Sequence, residues 1–237
     1  MRQSIWAALL ALATMVLAEK SLADEQVETV VVTGSRMPED AEYNPHVTLK
    51  HRADHLVTRV EVICDTRDPA KRKDELRQTL RAMIAGAQGT KTISLSVGED
   101  VLTEFTDGML DKVIAPDNKV DTSFARVVIR TELTAVDSFD GATQRIRDYV
   151  ARTPKAGRTE VLINQPFNLG IMAPERYRPT LVEMIAKDAR DTSASFGSGY
   201  EARVENMQHT IEWYQTGPLD LALFIPYKLT IATHVAQ

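Results

Sequence analysis

The chain has 237 residues, of which 43% are hydrophobic, 26% charged and 6% aromatic. This balance excludes collagen-like, low-complexity and disordered chains. The 28 basic and 33 acidic residues give a net charge of -5, which argues against a nucleic-acid-binding protein because such proteins carry a basic face.

The first 23 residues have the layout of a secretory signal peptide. Arg2 supplies a basic start, residues 5–18 form an uncharged apolar run, and Ser21-Leu22-Ala23 is a small-x-small cleavage site. The run is shorter than the ~20 residues that a transmembrane helix needs. We therefore predict cleavage after Ala23, a mature chain that starts at Asp24, and a periplasmic location. An uncleaved membrane anchor and association with the outer membrane are the alternatives.

The first half of the mature chain reads as strands around one helix. Asp68 and Pro69 are typical of an N-cap and a first helical residue. Apolar side chains at helical spacing continue that helix to Gly86 or Gly89. The β-branched and alternating runs predict strands at 29–33, 47–49, 56–64 and 92–97, with one or two more in 101–114.

The second half adds two helices and further strands. Ser138 can cap a helix that Pro154 and Gly157 close, and a second helix spans 174–195 with a bend before Pro179. Strands are predicted at 124–135, 160–167, 202–214 and 219–233. About three helices against seven or more strands predict an α+β fold with mixed or antiparallel sheets. We expect residues 24–237 to form a single domain; any division into two subdomains falls near 116–122.

Cys64 is the single cysteine, so no intramolecular disulfide can form. Strand alternation places Val60, Val62 and Cys64 on one face of the predicted strand. A small buried side chain is therefore the favoured interpretation. The alternatives are a reactive thiol and an intermolecular disulfide.

Three histidines, His46, His51 and His55, lie close together in the sequence. On a helix His51 and His55 would share a face, as zinc ligands do. The surrounding residues instead favour strand and loop, and on a strand the two would be about 13 Å apart, too distant to bind one metal ion. Gly197-Ser198-Gly199 lacks the pattern of a nucleophile elbow. We therefore predict no metal, no cofactor and no catalytic residues.

The order of elements resembles that of the SIMPL-domain family of bacterial periplasmic proteins. Residues 29–34, Thr-Val-Val-Val-Thr-Gly, match the family's first strand after the signal peptide, and the likeness covers most of 28–233. The strand 124–134, the helix 138–152, the Lys/Asp/Arg-rich helix around 185–190 and the closing strand 219–233 follow in the family's order. Pro174 and Pro179 shorten the third helix relative to the family. The resemblance implies an oligomeric envelope protein and supplies no catalytic residues.

Residues 27–36 are also similar to the TonB box of TonB-dependent outer-membrane receptors, which follows the signal peptide there too. An extended segment of this kind can add as a strand to the sheet of a partner. The chain is too short for such a receptor's plug and ~22-stranded barrel. The favoured interpretation is the first strand of the sheet. The residues that could contact a partner instead are Glu28, Thr29, Val30, Val31, Val32, Thr33 and Gly34.

The sequence therefore predicts a non-enzymatic exported envelope protein. The family resemblance implies that it forms a homo-oligomer or binds another envelope protein. The alternative is an accessory of a TonB-dependent uptake system that acts through the TonB-box-like segment.

Overall fold

The computed structural model describes residues 45–99 and 102–233. In these ranges it contains four α-helices and twelve strands. The predicted α+β fold is confirmed. The predicted strand at 29–33 lies outside the described residues.

The elements follow one another in a strand-rich order. Along the chain they are β1 (Leu49–Arg52), β2 (His55–Cys64), α1 (Pro69–Gln88), β3 (Ile93–Val97), β4 (Thr103–Glu104), α2 (Leu110–Val113), β5 (Ala115–Pro116), β6 (Ser123–Glu132), α3 (Phe139–Arg152), β7 (Thr159–Leu162), β8 (Asn168–Gly170), α4 (Arg178–Phe196), β9 (Tyr200–Glu205), β10 (Glu212–Gln215), β11 (Asp220–Phe224) and β12 (Lys228–Thr233). Short 3₁₀ turns at Asp107–Met109 and Pro174–Tyr177 precede α2 and α4.

A seven-stranded antiparallel sheet forms the body of the described structure. Its order is β4-β3-β6-β2-β7, with β5 paired to β6 and β8 paired to β2. The ten-residue strands β2 and β6 lie at its centre, in the register that places Val60 opposite Val127. Both strands are rich in β-branched residues, which suit a buried pleated surface.

Helices α1 and α3 cover one face of this sheet. Leu76, Leu80 and Met83 of α1 and Ile146 of α3 are fully buried there. The Tyr149 hydroxyl donates a hydrogen bond of 2.6 Å to the carbonyl of Met83, which joins the two helices. Burial raises the pKa of this hydroxyl, so it stays protonated and remains a donor.

Local sequence signals set the ends of these helices as predicted. The Asp68 carboxylate accepts a hydrogen bond of 2.8 Å from the backbone N–H of Lys71 at the start of α1. The Ser138 hydroxyl accepts one of 3.1 Å from Gly141 at the start of α3. Gly89 is the C-cap of α1. The capping predictions are therefore confirmed.

Two smaller sheets complete the described fold. One is three-stranded with the order β1-β11-β10, and the other consists of β9 and β12. Leu181 and Ile185 of α4 are buried, as are Trp213 and Phe224, the two largest fully buried side chains. Leu181, Ile185 and Trp213 belong to the same continuous apolar cluster as α1 and α3.

Several of the predicted stretches fold differently from expectation. Each of the single strands predicted at 202–214 and 219–233 is divided into two strands, β9 and β10 in the first stretch and β11 and β12 in the second. β10 and β11 pair in the three-stranded sheet, whereas β9 and β12 form the two-stranded sheet. Asn206 has a left-handed backbone (φ +69°) and Pro226 lacks an N–H, so both interrupt a strand. The stretch predicted as strands at 101–114 contains β4 but also the turn at Asp107–Met109 and α2.

Among the residues described, none of the helices combines the length and the apolar character needed to cross a bilayer.

Candidate functional site

The chain passes from the three-stranded sheet to the seven-stranded sheet at a corner formed by Ala53 and Asp54. The N–H of Ala53 donates to the carbonyl of Leu219, and the N–H of Asp54 donates to Gly170, over 2.9 and 3.0 Å. The carbonyl of Asp54 accepts from the N–H of Leu133 at 2.9 Å. Segments that are distant in sequence are thereby fixed to one point.

Four titratable side chains meet beside this corner, and we call them the His51 cluster: His51, Asp54, Arg176 and Tyr177. The Tyr177 Oη lies 2.7 Å from His51 Nε2 and accepts a hydrogen bond of 2.6 Å from Arg176 Nη2. Asp54 Oδ2 accepts bonds from Arg176 at 3.0 Å and from the N–H of Met172 at 2.8 Å. Asp54 Oδ1 lies 3.6 Å from His51 Nε2.

A guanidinium only donates, so Arg176 is the donor to Tyr177 Oη. The hydrogen bond between Tyr177 Oη and His51 Nε2 runs in the direction set by the tautomer of His51. Arg176 also lies over the Tyr177 ring, 4.7 Å from its centroid, which adds a cation–π contact.

The His51 cluster is open to solvent rather than enclosed. The side chains of His51, Asp54 and Arg176 are 29%, 23% and 48% exposed. A cavity of about 380 Å³ lies instead at the start of α3, and its lining residues are Ser138, Phe139, Asp140, Gln215 and Pro218. The cluster therefore holds a polar, partly exposed surface together and can hydrogen-bond a partner.

His55 is a core residue. It is 1% exposed, and neither ring nitrogen has a hydrogen-bond partner among the described residues. The ring lies against Gly170, where a Cβ would come within 2.3 Å of Nε2. Burial, helped by the nearby charge of Arg130 and opposed by that of Asp54, lowers the pKa of His55 to about 4. The imidazole is therefore neutral at ordinary pH.

The structure separates the three histidines predicted from the sequence. His46 is exposed before β1, His51 lies in β1, and His55 lies in β2. β1 ends at Arg52 and the chain turns at Ala53 and Asp54, so His51 and His55 lie on two different strands with a turn between them. The described residues contain no group of three or more His, Cys, Asp or Glu side chains placed to hold a metal ion.

Cys64 is buried at the end of β2, 1% exposed, and Val60 and Val62 are buried on the same face, as predicted. Its thiol donates a 3.2 Å hydrogen bond to Oε2 of Glu75. The same oxygen accepts a 2.6 Å bond from the Thr66 hydroxyl and a 3.2 Å bond from the N–H of Arg158. The Thr66 bond, followed by those from Arg158 and Cys64, holds the pKa of Glu75 below its usual value against the effect of burial. The thiol therefore takes part in a buried structural network.

Strands β9 and β12, together with the end of α4, form a surface that we call the ribbon. The two strands pair over six residues, from Tyr200 opposite Thr233 to Glu205 opposite Lys228. Val204 and Leu229 are half-buried and pack against the core, while the alternate positions Arg203 and Thr230 are exposed. The ribbon therefore has one apolar and one polar face.

An aromatic pair lies where α4 meets the ribbon. Phe196 is 58% exposed and Tyr200 is 42% exposed, and their ring centroids are 5.8 Å apart. Large apolar groups exposed side by side are typical of association surfaces.

Sequence reasoning did not identify Arg176, Tyr177 or the aromatic pair. His51 and Tyr177 are 126 positions apart, and no local pattern links them. The aromatic pair does carry a weak signal, because Phe196 and Tyr200 flank the turn Gly197-Ser198-Gly199. The predicted partner-binding residues 28–34 lie outside the described residues.

No family model, curated protein or solved structure matches this chain.

Proposed function

We propose that this protein is a non-enzymatic, exported envelope protein of the SIMPL type that works by self-association. The observation that carries the proposal is the ribbon: a two-stranded sheet with a polar outer face and the exposed pair Phe196 and Tyr200 at one end. A two-stranded sheet is marginal on its own and gains stability from further strands or from cover. The family resemblance supports the same function.

The placement of the titratable groups also favours binding over catalysis. His55 and Glu75 are buried against Gly170 and Gly157, where they cannot contact a substrate. The His51 cluster is half-buried with Arg176 exposed, and water would weaken the electrostatic effects that an active site relies on.

Light scattering coupled to size exclusion tests the proposal on protein purified from the periplasmic fraction. We expect a mass at least twice that of one mature chain, unchanged by EDTA. Replacement of Phe196 and Tyr200 by serine should shift the mass towards one chain. Val136, which is 94% exposed elsewhere, provides the matched control as Val136→Ser. A monomer at every concentration would overturn self-association, and a mass that falls with EDTA would indicate a metal-dependent assembly.

A second function, accessory to a TonB-dependent uptake system, follows from the likeness of residues 27–36 to a TonB box. A segment of this kind would pair with the sheet of a TonB periplasmic domain. Titration of that domain with the exported protein, with and without residues 24–36, tests it. Binding that requires the segment supports this function, and equal or absent binding contradicts it.

A further inference from the structure

One edge of β9 is open to a further strand. In the part of the chain that the structure describes, β9 pairs with β12 along one edge and has no strand on the other. An edge strand presents N–H and C=O groups that can pair with another strand. β9 contains no proline, so the alternate residues whose backbone groups point away from β12 can pair with a further strand. The N–H of Tyr200, at the start of the strand, donates to the carbonyl of Gly197.

We propose that a second copy of this chain docks on this edge through antiparallel pairing of β9 with the partner's β9. The inference rests on the proposed function and names its interface. With Ala202 on the two-fold axis, Tyr200 faces the partner's Val204 and Glu201 faces the partner's Arg203. In this register an apolar side chain of one strand lies opposite an apolar side chain of the other, and each acidic side chain lies opposite an arginine. Both kinds of cross-strand pair stabilise a sheet.

Neighbouring registers are less favourable than this one. A shift of one residue places the apolar positions of one strand opposite the polar positions of the other. A shift of two residues places either Arg203 opposite the partner's Arg203 or Glu201 opposite the partner's Glu201. Like charges directly opposite one another destabilise a strand pair. The Ala202-centred register therefore has the charge complementarity that the others lack.

The same axis accounts for the position of the aromatic pair. A two-fold axis perpendicular to the sheet keeps the apolar faces of both ribbons on one side, and α4 packs on the ribbon's β9 strand. The exposed ring of Tyr200 then lies beside the partner's Val204, and Phe196 lies next to the contact between the two β9 strands. The product is a four-stranded sheet with the order β12-β9-β9-β12 and the same contacts made twice, as a two-fold dimer requires.

The outer edge of β12 is a weaker candidate for the same role. Its charged residue is Lys228, and no acidic residue of β12 can face it in a two-fold pairing. We therefore assign the contact to β9.

Charge reversal in two complementary variants tests the proposal on the full exported protein. R203E places two acidic residues opposite each other twice, and E201R does the same with two basic residues. Each alone should raise the dimer dissociation constant by roughly tenfold or more, since both cross-strand charge pairs change from attraction to repulsion. An equimolar mixture should form a heterodimer, because every acidic residue then faces an arginine. Light scattering and native mass spectrometry measure the two effects.

Control variants separate loss of the interface from loss of the fold. R203E also removes the exposed Arg203–Glu205 ion pair of 3.0 Å. R203Q removes the same ion pair without adding an acidic residue, and we expect the two variants to have equal melting temperatures because an exposed ion pair contributes little to stability. The double variant E201R/R203E restores both cross-strand pairs and should dimerise like the wild type, which keeps the test valid if a single variant folds poorly. K228E on β12 faces Glu205 rather than Glu201 or Arg203, and it should leave the dimer unchanged.

Three results would overturn the assignment. Variants of Glu201 and Arg203 that assemble like the wild type would show that the copies meet elsewhere, while the proposed function would stand. A dimer lost only in K228E would move the contact to β12. A wild-type protein that is monomeric throughout would overturn the proposed function and this interface together.

Discussion

Gly157 approaches the Glu75 carboxyl more closely than any residue with a Cβ could. A Cβ at this position would lie 2.1 Å from Cδ of Glu75, and the backbone has a left-handed φ of +55°. Glu75 has no freedom to retreat because Thr66, Cys64 and Arg158 all donate to its Oε2. The position therefore requires glycine both for space and for backbone conformation.

Gly157→Ala should lower the free energy of unfolding by roughly 2–4 kcal/mol, the sum of left-handed strain and overpacking. Urea denaturation measures the change. Gly199→Ala is the matched control, since a Cβ there meets nothing within 4 Å, and it should stay within about 0.5 kcal/mol of the wild type. Equal stability of the two variants would contradict the close approach.

His55 makes stability depend on pH. Its pKa falls from 6.5 to about 4 in the fold, so between these values the unfolded chain binds a proton that the folded chain does not. Stability should therefore decrease as the pH falls from 6.5 to 4, by about 3 kcal/mol in total. The carboxylates with lowered pKa, such as Glu75, add their own loss at lower pH.

His55→Leu should flatten this dependence, because it removes the group that titrates. Urea denaturation at intervals from pH 4 to pH 7 measures the slope, which reports protonation even if the variant is less stable at every pH. His46→Gln changes an exposed histidine and should leave the slope as in the wild type. A slope that survives His55→Leu would show that another group causes it.

At the scale of elements, prediction succeeded where the signals are local. Asp68 and Ser138 each begin a helix through a hydrogen bond to a residue three positions on, so a short stretch of sequence contains the whole signal. The division of 202–214 and 219–233 into four strands depends on which distant strand each half pairs with. Asn206 and Pro226 indicate where the strands break, but they do not indicate which strand each half pairs with.

The His51 cluster could not be predicted for the same reason. Its members come from β1, the corner at Ala53 and Asp54, and the turn before α4, and only the folded topology brings these together. The sequence singled out His51 as one of three neighbouring histidines, but the roles of Arg176 and Tyr177 follow from contacts across more than a hundred residues.

The predicted strand at 29–33 can be tested as an element. If these residues pair within the sheet, burying Val30 and Val32 would contribute ~3–6 kcal/mol of the ~5–15 kcal/mol that stabilise a domain. Deletion of 24–36 should then lower the melting temperature sharply or abolish soluble expression, while deletion of 24–27 alone should have little effect. An unchanged melting temperature, or rapid amide exchange throughout 30–32, would instead favour a free docking segment.

At the scale of the whole molecule, one apolar cluster joins residues on both sides of 116–122. Leu76 and Leu80 of α1 lie in the same buried cluster as Ile146 of α3, Leu181 of α4 and Trp213 of β10. The corner at Asp54 ties the three-stranded and seven-stranded sheets together by backbone hydrogen bonds. These contacts favour a single cooperative unit over two subdomains.

Leu80→Ala tests this cooperativity at a distance. The substitution removes a fully buried side chain from α1 and should cost about 2–5 kcal/mol. After cleavage of the signal peptide, which contains Trp6, the tryptophan fluorescence comes from Trp213 in the three-stranded sheet, while far-UV circular dichroism follows the whole chain. In a single cooperative domain both signals should shift to lower urea by the same amount, although Leu80 and Trp213 lie on opposite sides of 116–122. A conservative Leu80→Met variant, which keeps the volume, should move both signals much less. If Leu80→Ala shifts the circular dichroism and leaves the Trp213 transition in place, the two parts unfold independently, and the chain consists of two subdomains.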